Sequence, residues 1–179
     1  WYSCSLCEQR YHGVVLCALG WACWKTYLGR SEKDNTRAMA INLLAGGLYD
    51  AENNEDALTV MEAELATRRR LGASEGAILA AQGNLANVYQ RLGQLEEALR
   101  LRRDVNSGSL RLHGEEHADT LQAALNYAST LHNLQHFEEA KALMRNTIPV
   151  AQRVFGESHE LTLKMRWIYA EAHYKDSDA

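Results

Sequence analysis

The sequence predicts an all-α protein, an α-solenoid in which helical hairpins stack one after another. The first observation is an internal repeat, since the run Asn-Leu-Ala at residues 84–86 recurs 42 residues later as Asn-Tyr-Ala at 126–128. The second is that apolar residues inside each period have helical spacing and come in two groups. A period of about 20–50 residues is typical of units that bury their apolar faces only by stacking on neighbours.

The first predicted element is an apolar helix over residues 11–28. Together with a short cysteine-containing segment before it, it forms an amino-terminal region of residues 1–30. The helix contains the longest apolar run of the chain, residues 14–24, which is interrupted by Cys and Gly. That run is far shorter than the ~20 residues that a transmembrane helix needs. We therefore expect no membrane-spanning segment.

The remainder, residues 36–179, is predicted to hold three hairpins and one closing helix. In the central copy the first helix stops at Gly93 and the second at Gly114, and a glycine just past a helix end supplies a left-handed cap. The copy before it is degraded, and its second helix is one residue shorter. The resulting boundaries are about 36–73, 74–115 and 116–157 for the hairpins and 159–175 for the closing helix.

The second helices of the last two hairpins share a weak point. Asn-Ser-Gly at residues 106–108 and Asn-Thr-Ile-Pro at 146–149 fall at matching places in the repeat. An interior proline costs a helix about 3 kcal/mol and a glycine about 1 kcal/mol. We therefore expect a kink or a break at both places.

The central copy resembles a tetratricopeptide repeat, because it reads Asn-Leu-Ala-x-x-Tyr-x-x-Leu-Gly-x-Leu-Glu-Glu-Ala from Asn84 to Ala98. The 42-residue period and the linker Leu-x-Gly-x-x-His-x-x-Thr-Leu, residues 112–121, resemble the kinesin-light-chain variety. The resemblance covers about four-fifths of the chain. It implies a right-handed superhelix that binds a peptide or protein in its concave groove. Gln135 replaces the turn glycine in the third copy, and Asn54 replaces the usual aromatic residue or leucine in the first.

In proteins of this kind the first helix of each pair lines the groove. A rotation of 100° per residue places a series of polar side chains on one flank of these helices. The candidate partner-binding residues are Asn42, Asn84, Asn87, Arg91, Gln122, Asn126, Ser129, Asn133, Lys164 and Trp167, and Glu171 continues the series.

Asparagine amides suit this role because they offer donors and an acceptor to the main chain of an extended peptide. The alternative is that Asn84 and Asn126 only satisfy buried neighbouring groups. For Trp167 the alternatives are a groove anchor and a packed aromatic of the closing helix, and we favour packing.

Residue patterns that would indicate catalysis are not found in the sequence. His117 and His159 recur at the starts of first helices beside a Gly-Glu pair, where we expect capping or packing. The acidic pairs at 96–97 and 138–139 fall in first helical turns, where carboxylates are favourable, and adjacent residues do not face each other. No nucleophile elbow, phosphate-binding loop or His-Glu-x-x-His motif is present. The segment is not predicted to be an enzyme.

Cys4 and Cys7 have the Cys-x-x-Cys spacing that places two thiolates at adjacent corners of a zinc tetrahedron. Cys17 and Cys23 lie about 120° apart on the predicted helix, so we expect them to be buried as small apolar residues instead. The pair is therefore either a half-site, with His12 as an alternative third ligand, or an empty remnant.

The aromatic residues at 1–2, the Cys-x-x-Cys and the helix after them resemble the closing segment of a RING-CH-type zinc finger. This resemblance implies zinc in a full-length protein, with the other ligands upstream of Trp1, and no cofactor in this segment. It also implies an alternative function, the substrate-recognition part of an E3 ubiquitin ligase.

The charge and the cysteine distribution limit the partners and the compartment. A net charge of −4 and a pI near 6.0 argue against nucleic-acid binding. The basic run at 68–70 ends a predicted helix, where cations complement the helix dipole. All four cysteines precede residue 24, unlike those of a secreted disulfide scaffold, so we expect an intracellular, cytoplasmic protein. The oligomeric state is not indicated.

Overall fold

The computed structural model describes residues 11–177, which form eight α-helices and no strand. The helices are α1 Gly13–Tyr27, α2 Asn35–Asp50, α3 Asn54–Arg70, α4 Glu75–Arg91, α5 Leu95–His113, α6 Ala118–Asn133, α7 Phe137–Phe155 and α8 Glu160–Ser177. Helices α2, α4, α6 and α8 correspond to the first helices of the sequence repeat, and α3, α5 and α7 to the second helices. The all-α prediction is confirmed.

The chain divides into two compact units, Trp1–Leu92 and Gly93–Ala179. In the first unit α1 packs on α2, α2 on α3 and α3 on α4. In the second unit α5 packs on α6, α6 on α7, α7 on α8 and α6 also on α8. Each unit is thus a series of sequential helices joined by short loops, as in a stack of helical hairpins.

Each first helix begins at a capping residue. At α2 the carboxylate of Asp34 accepts a hydrogen bond from the Thr36 backbone N–H at 2.7 Å, and Ser74 caps α4 in the same manner. At α6 and α8 the acceptor is a histidine. The Nδ1 atoms of His117 and His159 lie 3.1 and 3.2 Å from the backbone nitrogens two residues further on. Both histidines therefore have the capping role expected from the sequence.

The tight turns after α2, α4 and α6 use a residue in the left-handed conformation. Gly93 has a φ of 73°, and the equivalent residues Glu52 and Gln135 have φ values of 62° and 63°. Non-glycine residues reach this conformation at a cost of about 1–2 kcal/mol. Helix-ending hydrogen bonds hold it in place, such as the one from the His136 N–H to the Leu131 carbonyl at 2.9 Å. Replacement of the turn glycine by Gln135 therefore leaves the turn intact.

Of the kink or break predicted in the second helices, the break is not found. Helix α5 continues through Gly108, and α7 continues through Pro149. In α7 the proline is exposed, whereas Met144 and Ala151 on either side of it are fully buried in one core cluster. Packing of the apolar face therefore outweighs the local cost of the proline, because tertiary contacts supply most helix stability in proteins.

Helix α1 lies unusually close to α2, and two glycines permit this approach. A Cβ atom added to Gly20 would lie 2.6 Å from the Cα of Leu44, and one added to Gly47 would lie 2.6 Å from the Cα of Cys17. Cys23 is buried in this interface, as expected, whereas Cys17 is only half-buried. No helix in residues 11–177 has the length and apolar character that a membrane span requires.

Candidate partner-binding site

In the first unit, three of the predicted amides surround one hollow. The hollow has a volume of about 470 Å³ and is lined by α2, α3 and α4. Asn42 contributes from α2, and Asn84 and Asn87 contribute from α4. Asn84 is exposed, while Asn42 and Asn87 are half-buried. The equivalent flanks of two consecutive first helices thus border the same space, which we call the amide hollow.

An ion pair on α3 forms one wall of the amide hollow. The Nε of Arg68 donates to Oε1 of Glu64 at 2.8 Å, and its Nη2 lies 3.4 Å from Oδ1 of Asn42. Nη1 donates to the Ala77 carbonyl at 3.3 Å. Arg68 therefore links α2, α3 and α4, and it leaves the Nδ2 group of Asn42 as the donor available to a ligand.

Glu64 is only 7% exposed, and this burial has an electrostatic consequence. Burial raises the pKa of Glu64 above its usual value, while the charge and hydrogen bonds of Arg68 oppose the rise. The sequence reasoning missed both residues, because it assigned the basic run at 68–70 to the helix dipole. The signal that would have found them is their spacing of four residues, which brings a Glu and an Arg together on a helix.

Arg91 contacts the carboxyl end of α2. Its Nη1 donates to the Tyr49 carbonyl at 2.8 Å, and its guanidinium lies 3.7 Å from the centroid of the Tyr49 ring. Tyr49 also lines the amide hollow. Although Arg91 shares a helix flank with the amides, it is engaged with this tyrosine and fixes one edge of the hollow.

In the second unit, the predicted polar residues form a row along α6. Gln122 and Asn133 are exposed, and Asn126 and Ser129 are half-buried. The Nε2 of Gln122 donates to Oδ1 of Asn126 at 3.0 Å. This bond uses the acceptor of one amide and a donor of the other, so both retain groups for a ligand.

The predicted residues of α8 differ in exposure and in their contacts. Trp167 is 62% exposed, so the interpretation of this residue as a packed core aromatic is wrong. Lys164 forms an ion pair with Glu160 one turn earlier, with Nζ and Oε1 2.6 Å apart. Glu171 lies on the side facing α6, where its Oε2 is 3.6 Å from Nε2 of His132. Sequence reasoning did not find this contact.

Of the predicted metal ligands near the amino terminus, only His12 lies within the described residues. His12 is exposed, and its Nδ1 lies 3.7 Å from a carboxylate oxygen of Asp50. Within residues 11–177, no group of three or more His, Cys, Asp or Glu is arranged to hold a metal ion. Cys4 and Cys7 lie outside the described residues, so their half-site stays a prediction.

Part of the chain matches a known protein family in sequence. Residues 77–145 match the family model of the tetratricopeptide repeat. No curated protein matches the chain.

Three solved structures are similar to this chain in fold. BtubC (BKLC) from P. vanneervenii has a TM-score of 0.74 at 18% identity, over 92% of this chain and 66% of that one. A Podosopora anserina putative kinesin light chain with nearly identical TPR-like repeats has a TM-score of 0.76 at 23% identity, over 92% and 77%. The apo form of RapI has a TM-score of 0.70 at 15% identity, over 90% and 47%.

At these identities the likeness concerns the fold alone, and this chain spans about two-thirds of BtubC and half of RapI. The resemblance of the Cys-x-x-Cys segment to a RING-CH finger finds no support in these similarities. The resemblance to kinesin-light-chain repeats is supported at the level of fold. The chain has the all-helical fold of tetratricopeptide-repeat proteins, and its residues 77–145 carry the sequence pattern of that family.

Proposed function

We propose that the chain is a protein-interaction module that binds an extended segment of a peptide or protein through the amides of its first helices. The observation that carries this proposal is the convergence of Asn42, Asn84 and Asn87 on one hollow. Tetratricopeptide repeats typically serve as interaction scaffolds, which agrees with this role. The proposal assigns no catalytic step and no cofactor to the segment.

The chemistry of the amide hollow suits main-chain recognition. An extended peptide offers an N–H and a C=O at each residue, and a side-chain amide can pair with both. Asn84 and Asn87 are three residues apart and therefore lie on the same side of α4. Each hydrogen bond contributes a net of about 0.5–1.5 kcal/mol. Several amides acting together are thus needed for useful affinity.

The charge of the amide hollow favours neutral groups of the ligand. Glu64 compensates Arg68 within the wall, so the pair adds little net charge to the hollow. A carboxylate placed there would compete with Glu64 for the guanidinium and would lie near a like charge. We infer that the ligand places main-chain groups and small polar side chains in the hollow, not an acidic cluster.

The α6 row supplies a second surface of the same chemistry in the second unit. Its four polar side chains follow one flank of α6, and Asn126 repeats the position of Asn84 42 residues later. We propose it as a second contact region for the same kind of ligand, treated separately from the amide hollow.

A peptide-display selection tests the proposed function. A library of random peptides is selected on the chain and, in parallel, on a variant with Asn42, Asn84 and Asn87 all changed to Ala. Enrichment of peptides that bind the chain and not the variant supports the proposal. Enrichment of the same peptides on both proteins, or of none on either, contradicts it.

A further inference from the structure

Helix α8 has an exposed apolar face. Leu163, Trp167, Ala170 and Tyr174 recur every third or fourth residue, so they lie on one side of the helix, and we call them the α8 stripe. The three large side chains are 49%, 62% and 65% exposed, and Ala170 is also exposed. A contiguous exposed apolar surface of this kind marks a contact site more often than a solvated surface.

The equivalent positions of α6 are buried. Counting back 42 residues from the first three members of the α8 stripe gives Leu121, Leu125 and Ala128, which are 1%, 6% and 0% exposed. Helices α7 and α8 pack on α6, and Met144 of α7 belongs to the same core cluster. Within residues 11–177 no second helix occupies the corresponding place on α8. The α8 stripe thus occupies the positions at which α6 is covered by neighbouring helices. Within residues 11–177 it is left exposed.

Helix α1 has the complementary property. It packs on α2 as α3 packs on α4, α5 on α6 and α7 on α8, so it occupies the place of a second helix. No first helix precedes it in the described residues. Exposed residues along one side of it are Val14, Ala18, Trp21 and Lys25, followed by Leu28 at its C-cap, and we call these five the α1 stripe. Lys25 is its one charged member, and the exposed fractions reach 79% at Val14.

We propose that the α1 stripe of one copy docks on the α8 stripe of a second copy. Helix α1 would then cover α8 as α7 covers α6, so the contact continues an interface that the chain already forms within itself. Because the two stripes differ, the contact is heterologous. Each copy can therefore take part in two contacts, one through its α1 stripe and one through its α8 stripe. The close approach of Gly20 to the Leu44 backbone, and of Gly47 to the Cys17 backbone, holds α1 firmly on α2. The α1 stripe is therefore a fixed docking surface.

This self-association is independent of the amide hollow, since none of the hollow's residues belongs to either stripe. Trp167 is assigned here to the contact between copies instead of to a peptide. A loss of peptide binding and a loss of association are therefore separate results, each measured by its own variants.

Two variants, each with one stripe blocked, test the proposal separately and as a mixture. Trp21→Lys blocks the α1 stripe, and Trp167→Lys blocks the α8 stripe. By sedimentation velocity between about 1 μM and about 1 mM, the unmodified chain should associate with rising concentration. Each variant alone should remain a monomer, because it keeps only one half of the contact. An equimolar mixture should form a dimer and stop there, since one intact stripe of each kind remains.

Matched controls separate the contact from general effects. Leu110→Lys changes a side chain on α5 that is as exposed as Leu163 but lies outside both stripes, and it should associate like the unmodified chain. Val14→Lys and Leu163→Lys serve as second blocking variants if a tryptophan change alters the melting curve. A monomeric unmodified chain at every concentration overturns the proposal. So does association of either blocked variant alone, or a mixture that stays monomeric.

Discussion

Arg68 and Glu64 form an ion pair one turn apart on α3, with Nε and Oε1 2.8 Å apart, and the same guanidinium reaches Asn42 on α2. The pair is largely buried, since the side chains are 22% and 9% exposed. Arg68 therefore contacts both the buried carboxylate of α3 and a predicted ligand-binding amide of α2.

Removal of one partner of this pair should destabilise the chain. Glu64→Ala leaves a half-buried guanidinium without its carboxylate, and the expected loss is about 3 kcal/mol in the free energy of unfolding, measured by chemical denaturation. Arg70→Ala is the matched control, because Arg70 pairs with Glu32 at an exposed site and its removal should cost less than about 1 kcal/mol. Equal effects of the two changes would show that burial of the pair contributes nothing.

The Asp34 cap of α2 should make the thermal stability of the chain depend on pH. Hydrogen bonds from Thr36 hold the pKa of Asp34 below its usual value. A carboxyl whose pKa is lower in the folded state stabilises the fold above the unfolded pKa of about 3.9, and this contribution is lost as the pH falls through the folded pKa. The melting temperature of the chain should therefore exceed that of Asp34→Ala at neutral pH, and the gap should narrow below about pH 4.

Asp34→Asn is the control for this effect, since asparagine caps a helix without titrating. Thermal melts of the three proteins across the pH series check the prediction. A gap between the chain and Asp34→Ala that stays constant into acid would contradict the assignment of the cap to the carboxylate.

The turn after α6 offers a stabilising change. Gln135 adopts a left-handed conformation that glycine reaches without a steric penalty. Gln135→Gly should raise the free energy of unfolding by about 0.5–1 kcal/mol, the cost of the left-handed residue less the extra entropy of glycine in the unfolded chain. Gly93→Gln in the equivalent turn should lower it by a similar amount. Denaturant melts that moved both variants in the same direction would argue against this account of the turn.

Neighbouring glycines of α2 should respond oppositely to alanine. At Gly47 an added Cβ would meet the Cα of Cys17 at 2.6 Å, so Gly47→Ala should force α1 away and cost about 1–3 kcal/mol. At Gly46 nothing lies within 4 Å, and alanine should stabilise the helix by about 1 kcal/mol. Hydrogen exchange of the α1 amides should quicken in the first variant alone. Unchanged exchange in Gly47→Ala would show that the close approach of the two helices is not needed.

The repeat explains why the helices could be predicted and where the prediction failed. A fixed 42-residue period and helical apolar spacing define helix positions locally, and glycines mark the ends. Pro149 does not break α7, because Met144 and Ala151 on either side are buried in a core cluster that includes helices distant in sequence. A local cost was predictable from sequence, but the tertiary contacts that outweigh it were not.

The candidate site shows the same limit. Helical phase identified the flank that carries Asn84 and Asn87, because rotation about a helix axis depends on residue number alone. It could not reveal that Arg68 of a second helix reaches the same hollow. Trp167 was expected to pack as an aromatic residue of the closing helix, yet it is 62% exposed, whereas its counterpart Leu125 in α6 is buried. The exposure of a side chain at that position depends on which helices pack against it, and the local sequence pattern does not determine this.

The most direct test of the proposed function is the affinity of a selected peptide for two asparagine variants, measured by calorimetry. Asn84→Ala removes an exposed amide of the hollow and should weaken binding by about 1–3 kcal/mol, or about 5- to 150-fold, with an unchanged melting temperature. Asn146→Ala removes an exposed amide from α7, outside the hollow, and should leave the affinity unchanged. Equal affinities for both variants, or a lower melting temperature of Asn84→Ala without a change in binding, would contradict the account.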